Sequence, residues 1–236
     1  MSSEPAQQRS KSAAARAWIE HLPAGTWFRS VAVPGNRHLA GNVLARLLAE
    51  PQPIIGRASR GIYWRQPPPV SPRYGKTPLL TDDAVSLLGP PGSAYAEFGA
   101  LNLIGWSTQK PYGVTLAVPY RNLMPPRIRL GGTYPQFKER SNRRRRELNW
   151  NEANLLESAR FAARADYHSW DHAIWLLVEA NGWMKHGAPI CKQRVLWSAE
   201  TEPRSRGSVL SDSENRGFAE TLTRLKRDLP DIVEPS

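Results

Sequence analysis

Between residues 36 and 51 the apolar positions recur at helical spacing. Leu39, Val43, Leu44, Leu47 and Leu48 fall on one face. Asn36 stands where an N-cap belongs and Pro51 where a helix must stop, so the pattern predicts a helix over 37–50. The opposite face carries His38, Gly41, Asn42 and Ala45, flanked by Arg46, with no acid before Glu50. Upstream, the Ala-rich segment 11–21 reads as a helix with Trp18, Ile19 and Leu22 on its apolar side and Pro23 as its end. Residues 29–33 allow one short helical turn, closed by Pro34-Gly35. Downstream, two β-rich runs within 54–65 flank a Gly/Ser/Arg tip and predict a hairpin carrying Arg57 and Arg60. Helix followed by hairpin is the order of a winged helix–turn–helix, which places residues 11–66 in such a domain behind a disordered tail, 1–10.

Residues 66–72 (QPPPVSP) read as a stiff polyproline linker, so 67–236 form a larger, mixed α/β C-terminal domain and the chain is α+β. In that domain Thr81, Asp82 and Asp83 cap a short helix ending at Gly89-Pro90. A second helix runs from Ser93 to Gly105, with Ala94, Ala96, Gly99 and Ala100 as small packing residues. Val114, Leu116 and Val118 alternate as a strand should, as do Ile128 and Leu130. Helices follow over 151–165, 169–180 and 213–229, the last with Phe218, Leu222, Leu225 and Leu229 on one face. Residues 201–213 read as a surface loop, and there is no internal repeat.

Charge changes this picture by singling out two blocks. Residues 1–65 carry 9 Lys/Arg against 3 acids, and 121–146 carry 9 against 1, whereas 66–120 are neutral and 147–236 sum to −3. A total of +11 favours a polyanionic partner. On the helix over 37–50 the small, polar, acid-poor face is what a major-groove helix requires, with Arg37, His38, Asn42 and Arg46 in reach of DNA. Arg57 and Arg60 sit where a wing meets phosphate or the minor groove. A lone cysteine, Cys191, excludes an intrachain disulfide framework or a cysteine zinc site and fits a reducing compartment. There is no secretory h-region, and the longest apolar stretch, 173–178, is far short of a membrane span. The expectation is a cytoplasmic, nucleoid-associated protein with no membrane partner.

Three segments carry a family resemblance. Residues 22–28 (LPAGTWF), a Leu-rich helix and then 61–64 (GIYW) are similar to the N-terminal domain of AbiEi-type antitoxins of bacterial type IV toxin–antitoxin systems. Residues 99–111 (GALNLIGWSTQKP) resemble that family's A-L-N-x-x-G-[LW]-[ST]-T-Q-x-P segment, and the stretch around Trp150 to Glu152 is similar in style. The resemblance covers about residues 15–180. It implies a winged-helix N-domain, repression of the protein's own promoter, and a cognate nucleotidyltransferase-like toxin countered directly or indirectly. The chain departs from the family in an abbreviated first turn-helix region and in an unusually Arg-dense linker before the helices.

The arginine block, Arg140, Arg143, Arg144, Arg145 and Arg146, has three readings: a solvated charge run, a grip on DNA phosphate, or a contact with an acidic toxin surface. Other chemistry is thin. His168 and His172 have helical metal spacing around Asp171, but no third ligand is evident, so core packing or capping is favoured. Gly131 to Thr133 is a turn, not a phosphate loop. Asp82 and Asp83 read as a cap, Cys191 as an inert thiol, and Trp150, Trp170, Trp175 and Trp183 as core. The expectation is therefore a non-enzyme without metal or cofactor, a DNA-binding repressor and antitoxin. The alternatives are a DNA-processing enzyme of a mobile element and a protein-only module docking an acidic partner.

Overall fold

A computed structural model describes residues 4–66, 85–109, 111, 113–120, 134–166, 169, 173, 189–202 and 210–233. It is mixed α+β, with six α-helices and small sheets among the described residues. The chain divides into two compact units, Met1–Leu87 and Leu88–Ser236. The expected linker beyond Gln66 and the cap at Thr81 to Asp83 lie outside the described residues, as do Ile128, Leu130, Gly131 to Thr133, His168, Asp171 and His172.

The first unit opens with α1 (Glu4–His21), which starts inside the segment expected to be a disordered tail. Strand β1 (Trp27–Arg29), the 3-10 turn Ser30–Ala32 and α2 (Arg37–Ala49) follow. The hairpin of β2 (Ile55–Ser59) and β3 (Ile62–Arg65) closes the unit. The sheet is antiparallel in the order β1-β3-β2, so β3 lies between the other two. Strand β1 was not expected. Three residues are too few to show alternation, and Trp27 and Phe28 find their partners, Trp64 and Tyr63, far along the chain. Ala15 and Ile19 of α1, Val43, Leu44 and Leu47 of α2, and Phe28, Ile55 and Tyr63 of the sheet make one buried core. Phe28 lies edge-on to Trp18 and stacked on Tyr63. Gly56 is fixed by packing: a Cβ there would stand 2.0 Å from the Trp64 ring.

The second unit is built around one helix, α4 (Trp150–Arg160), whose residues from Asn151 to Arg160 are all buried. Before it come β4 (Ala94–Tyr95), α3 (Phe98–Leu103), β5 (Thr115–Val118), β6 (Gln136–Glu139) and the 3-10 turn Arg143–Glu147. The helix expected from Ser93 is thus a strand and a shorter helix. Ala94 and Tyr95 pair with Ala117 and Leu116, and the Tyr95 N–H donates to the Asn154 side chain at 2.9 Å. Strand β5 pairs antiparallel with β4 and parallel with β6. After α4 come β7 (Ile190–Cys191), α5 (Lys192–Ala199), α6 (Asp212–Asp228) and β8 (Ile232–Val233). Helix α6 buries Phe218 and Leu225 against the core that also holds Leu101, Trp106, Leu155 and Val195.

Candidate nucleic-acid interface

Helix α2 begins where Asn36, in extended conformation, accepts the Leu39 N–H on its side chain at 2.8 Å. Burying Leu39, Ala40, Val43, Leu44 and Leu47 leaves Arg37, His38, Gly41, Asn42, Ala45 and Arg46 exposed on the other side. Two features of that side work against the stability of the helix. The first turn holds no acid and carries Arg37, although the N-terminal end of a helix is electropositive. Gly41 sits in the helix interior, where glycine costs about 1 kcal/mol relative to alanine. A Cβ at Gly41 would meet nothing within 4 Å, so no packing among the described residues demands the glycine. One turn apart, Asn42 and His38 join through Nδ2 and Nε2 at 3.2 Å.

The hairpin presents its arginines beside an irregularity. The register shifts between Arg57 and Ser59, and such bulges re-aim the side chains around them. Gly61, at φ +81°, closes the turn after Arg60. Its carbonyl accepts the Ser30 N–H at 2.9 Å, which ties the hairpin tip to the 3-10 turn. Arg57 and Arg60 are both exposed.

The described acids of this unit, Glu20 and Glu50, are gathered elsewhere. Arg16 binds Glu20 at 2.7 Å and Glu50 at 2.6 Å. The hydrogen bonds that Arg16 donates to these carboxylates raise the guanidinium pKa above its ordinary value. Among the described residues no carboxylate pairs with Arg37, Arg46, Arg57 or Arg60. The exposed side of α2 and the hairpin tip are therefore cationic, with no neutralising carboxylate among the described residues.

The arginine block of the second unit divides. Arg140 and Arg145 leave the set of expected contact residues, because both are buried on Glu157. Arg140 donates to Glu157 from Nε and Nη2, and Arg145 donates to it from Nη1 at 2.9 Å. Arg145 and Arg160 also flank Glu202, at 3.2 and 2.9 Å. Burial pushes the Glu157 carboxyl up, but Arg140 and Arg145 outweigh it and hold the carboxyl at about 2. Glu202, expected in a surface loop, is instead fully buried.

The other members stay near the surface. Arg144 binds Glu200 at 2.6 Å and lies over Trp197, 4.7 Å from the ring centre. Arg146 lies over Tyr120 at 4.1 Å. Arg143 is exposed. The sequence carried no sign of the buried pairing, because Glu157 shares with Asn154, Ser158 and Arg160 what reads as a solvated helix face.

Cys191 is half-buried, and its N–H donates to Glu152 at 2.8 Å. Among the described residues, no three His, Cys, Asp or Glu side chains are grouped to hold a metal ion. Trp150 lies edge-on to Tyr95. No described helix is long and apolar enough to cross a membrane. No known protein-family model matches the chain, and a search of curated proteins finds no match.

Proposed function

We propose that the first unit is a winged helix–turn–helix, that α2 enters the major groove of double-stranded DNA, and that the β2–β3 hairpin is the wing. The observation that carries the reading is the exposed side of α2. It combines Arg37 and Arg46, which no described carboxylate neutralises, a polar pair at His38 and Asn42, and a glycine that no packing among the described residues requires. A helix bearing these costs gains from them when a phosphate backbone and base edges approach closely. The succession helix, strand, turn, helix, hairpin supports it, as does the sheet order β1-β3-β2, which sets the hairpin beside the short first strand.

In this reading Asn42 and Arg46 read bases, Arg37 supports them, and Arg57 and Arg60 hold backbone. The resemblance extends the proposal: the DNA is the protein's own promoter, and the protein is a repressor and antitoxin paired with a nucleotidyltransferase-like toxin. Arg143 and Arg146 are the exposed members of the arginine block left for DNA or toxin.

Fluorescence anisotropy with the promoter fragment against a scrambled duplex, over a range of salt, tests the DNA reading. Asn42→Ala is expected to cost about 1–3 kcal/mol on the promoter alone. Arg57→Ala and Arg60→Ala are expected to weaken both duplexes and to lower the salt slope by about 1 each. Equal affinity of the native protein for the two duplexes would refute promoter repression. Co-purification with the product of the neighbouring gene tests the antitoxin part.

A further inference from the structure

The contact between His38 and Asn42 has a direction. An amide nitrogen donates and cannot accept, so with Asn42 Nδ2 at 3.2 Å the His38 Nε2 is the acceptor and the proton of the neutral ring sits on Nδ1. That contact uses one of the two amide N–H groups of Asn42. The other N–H and the Oδ1 have no partner among the described residues and lie on the exposed face of α2. One donor beside one acceptor is the complement of adenine in the major groove, where N7 accepts and the N6 amino group donates. Guanine offers two acceptors, N7 and O6, and would oppose Oδ1.

We infer that Asn42 selects adenine at one position of the bound duplex and that His38 is the positioning residue that sets the amide's orientation. This rests on the reading of α2 as a major-groove helix. It also fixes what protonation does. An imidazolium that has taken a proton from solvent carries N–H on Nε2 and accepts nothing. Asn42 then turns its amide over, gives Oδ1 to His38, and presents both N–H groups outward. Two donors complement guanine N7 and O6, so lowering the pH moves the preference from adenine toward guanine.

Among the described residues no charged side chain pairs with His38 or Asn42. The elements packed against α2 are α1, the turn Ser30–Ala32 and β2. The described charged side chains on them are Lys11, Arg16, Glu20 and His21 of α1 and Arg57 of β2. Arg16 and Glu20 bind each other, and His21 Nδ1 contacts the Ala17 carbonyl. Arg37 and Arg46 are the charged residues of α2 itself, and Glu50 at its end is held by Arg16.

The test uses the full-length protein and a pool of duplexes with a randomised centre. The pool is sequenced after selection at about pH 8.5 and about pH 5.5, either side of the range in which imidazoles titrate. The Asn42 position is the one whose preference disappears in Asn42→Ala. There adenine is expected to exceed guanine about five- to a hundredfold at the higher pH, and the ratio is expected to fall at the lower. His38→Gln accepts the same amide proton but does not titrate. It is expected to keep adenine at both pH values. His38→Ala is expected to lose most of the preference at both. Because the readout is a ratio between bases, a general pH effect on affinity does not imitate it.

An enriched sequence whose adenine preference ignores both pH and His38→Ala would overturn the inference and leave the DNA reading intact. An enriched sequence unaffected by Asn42→Ala would overturn it too. No enriched sequence with the native protein would refute base reading by α2, and this inference with it.

Discussion

Glu157 is a carboxylate out of reach of water, and its two guanidinium partners differ in where they come from. Arg140 follows β6, and Arg145 lies in the 3-10 turn before α4. Removing one side of such a pairing leaves the other buried and uncompensated. Glu157→Gln is therefore expected to cost about 3–5 kcal/mol in denaturant-induced unfolding. The pH dependence follows from the same contacts. The folded carboxyl is held at about 2, below the unfolded value of about 4.3, so the folded state gains stability wherever the unfolded chain is ionised. That contribution is complete above the unfolded value and is lost as pH falls through the folded one. The native protein should lose stability steeply between about pH 5 and about pH 2, and Glu157→Gln should flatten that limb.

Two arginines of the block could not be recognised as core from the sequence. A guanidinium in an arginine-rich stretch looks the same whether its partner is water or Glu157, and that carboxylate lies 12 residues beyond Arg145. The exposed residues of α2 were legible, because a helical repeat settles which side each residue occupies. Gly41 belongs with them and yields a paired expectation. Gly41→Ala should stabilise the fold by about 0.5–1 kcal/mol in thermal or denaturant unfolding, and it should weaken promoter binding. Gain of stability with unchanged binding would remove the close approach at that position.

Among the elements, α2 was readable nearly to its last residue. Its cap, its apolar stripe and its terminating proline agree with one another. Asn36→Ala removes the bond to the Leu39 N–H and should cost about 1 kcal/mol of stability. The hairpin was readable for the same reason, since two β-rich runs meet at a turn. Its packing was not. Gly56 lies under Trp64, so Gly56→Val must displace a buried indole or move the strand. About 1–3 kcal/mol of destabilisation is expected, with a changed near-ultraviolet tryptophan signal.

Helix α4 shows what periodicity misses. Asn151, Glu152, Asn154, Glu157, Ser158 and Arg160 resemble a solvated face, yet all are buried. Glu152, Asn154, Glu157, Ser158 and Arg160 each bond to something distant in sequence or to the helix itself. Glu152 completes a capping box with Asn149 and also accepts from Cys191 and Arg194. Asn154 takes the Tyr95 N–H, and Ser158 donates to the Asn154 carbonyl. Local pattern cannot reveal such partners, because they exist only once β4, β7 and α5 are assembled. The short strands β1, β4, β6 and β7 were missed or misread for a related reason: their identity is in the pairing, not in the run.

For the whole molecule, two units with separate cores should respond separately to damage. In hydrogen exchange of the full chain, Glu157→Gln is expected to speed exchange in peptides covering 150–160. Those covering 37–65 should be unchanged. Gly56→Val should do the reverse. Uniform change across both sets would mean that the units unfold together.

The distribution of partners around α4 also sets an order in time. The buried residues of the first core all lie between Ala15 and Tyr63, so that half can close while synthesis continues. The carboxylate for Arg160 arrives only with Glu202, and the cover from α6 runs to Asp228. At about 5–20 residues per second, roughly ten to thirty seconds separate the two events on the ribosome. During that interval the nascent chain carries a finished first half and a helix whose charges await their counterparts. A chain broken off before Glu202 would keep this condition permanently, with a folded first half and a second half exposed to proteolysis.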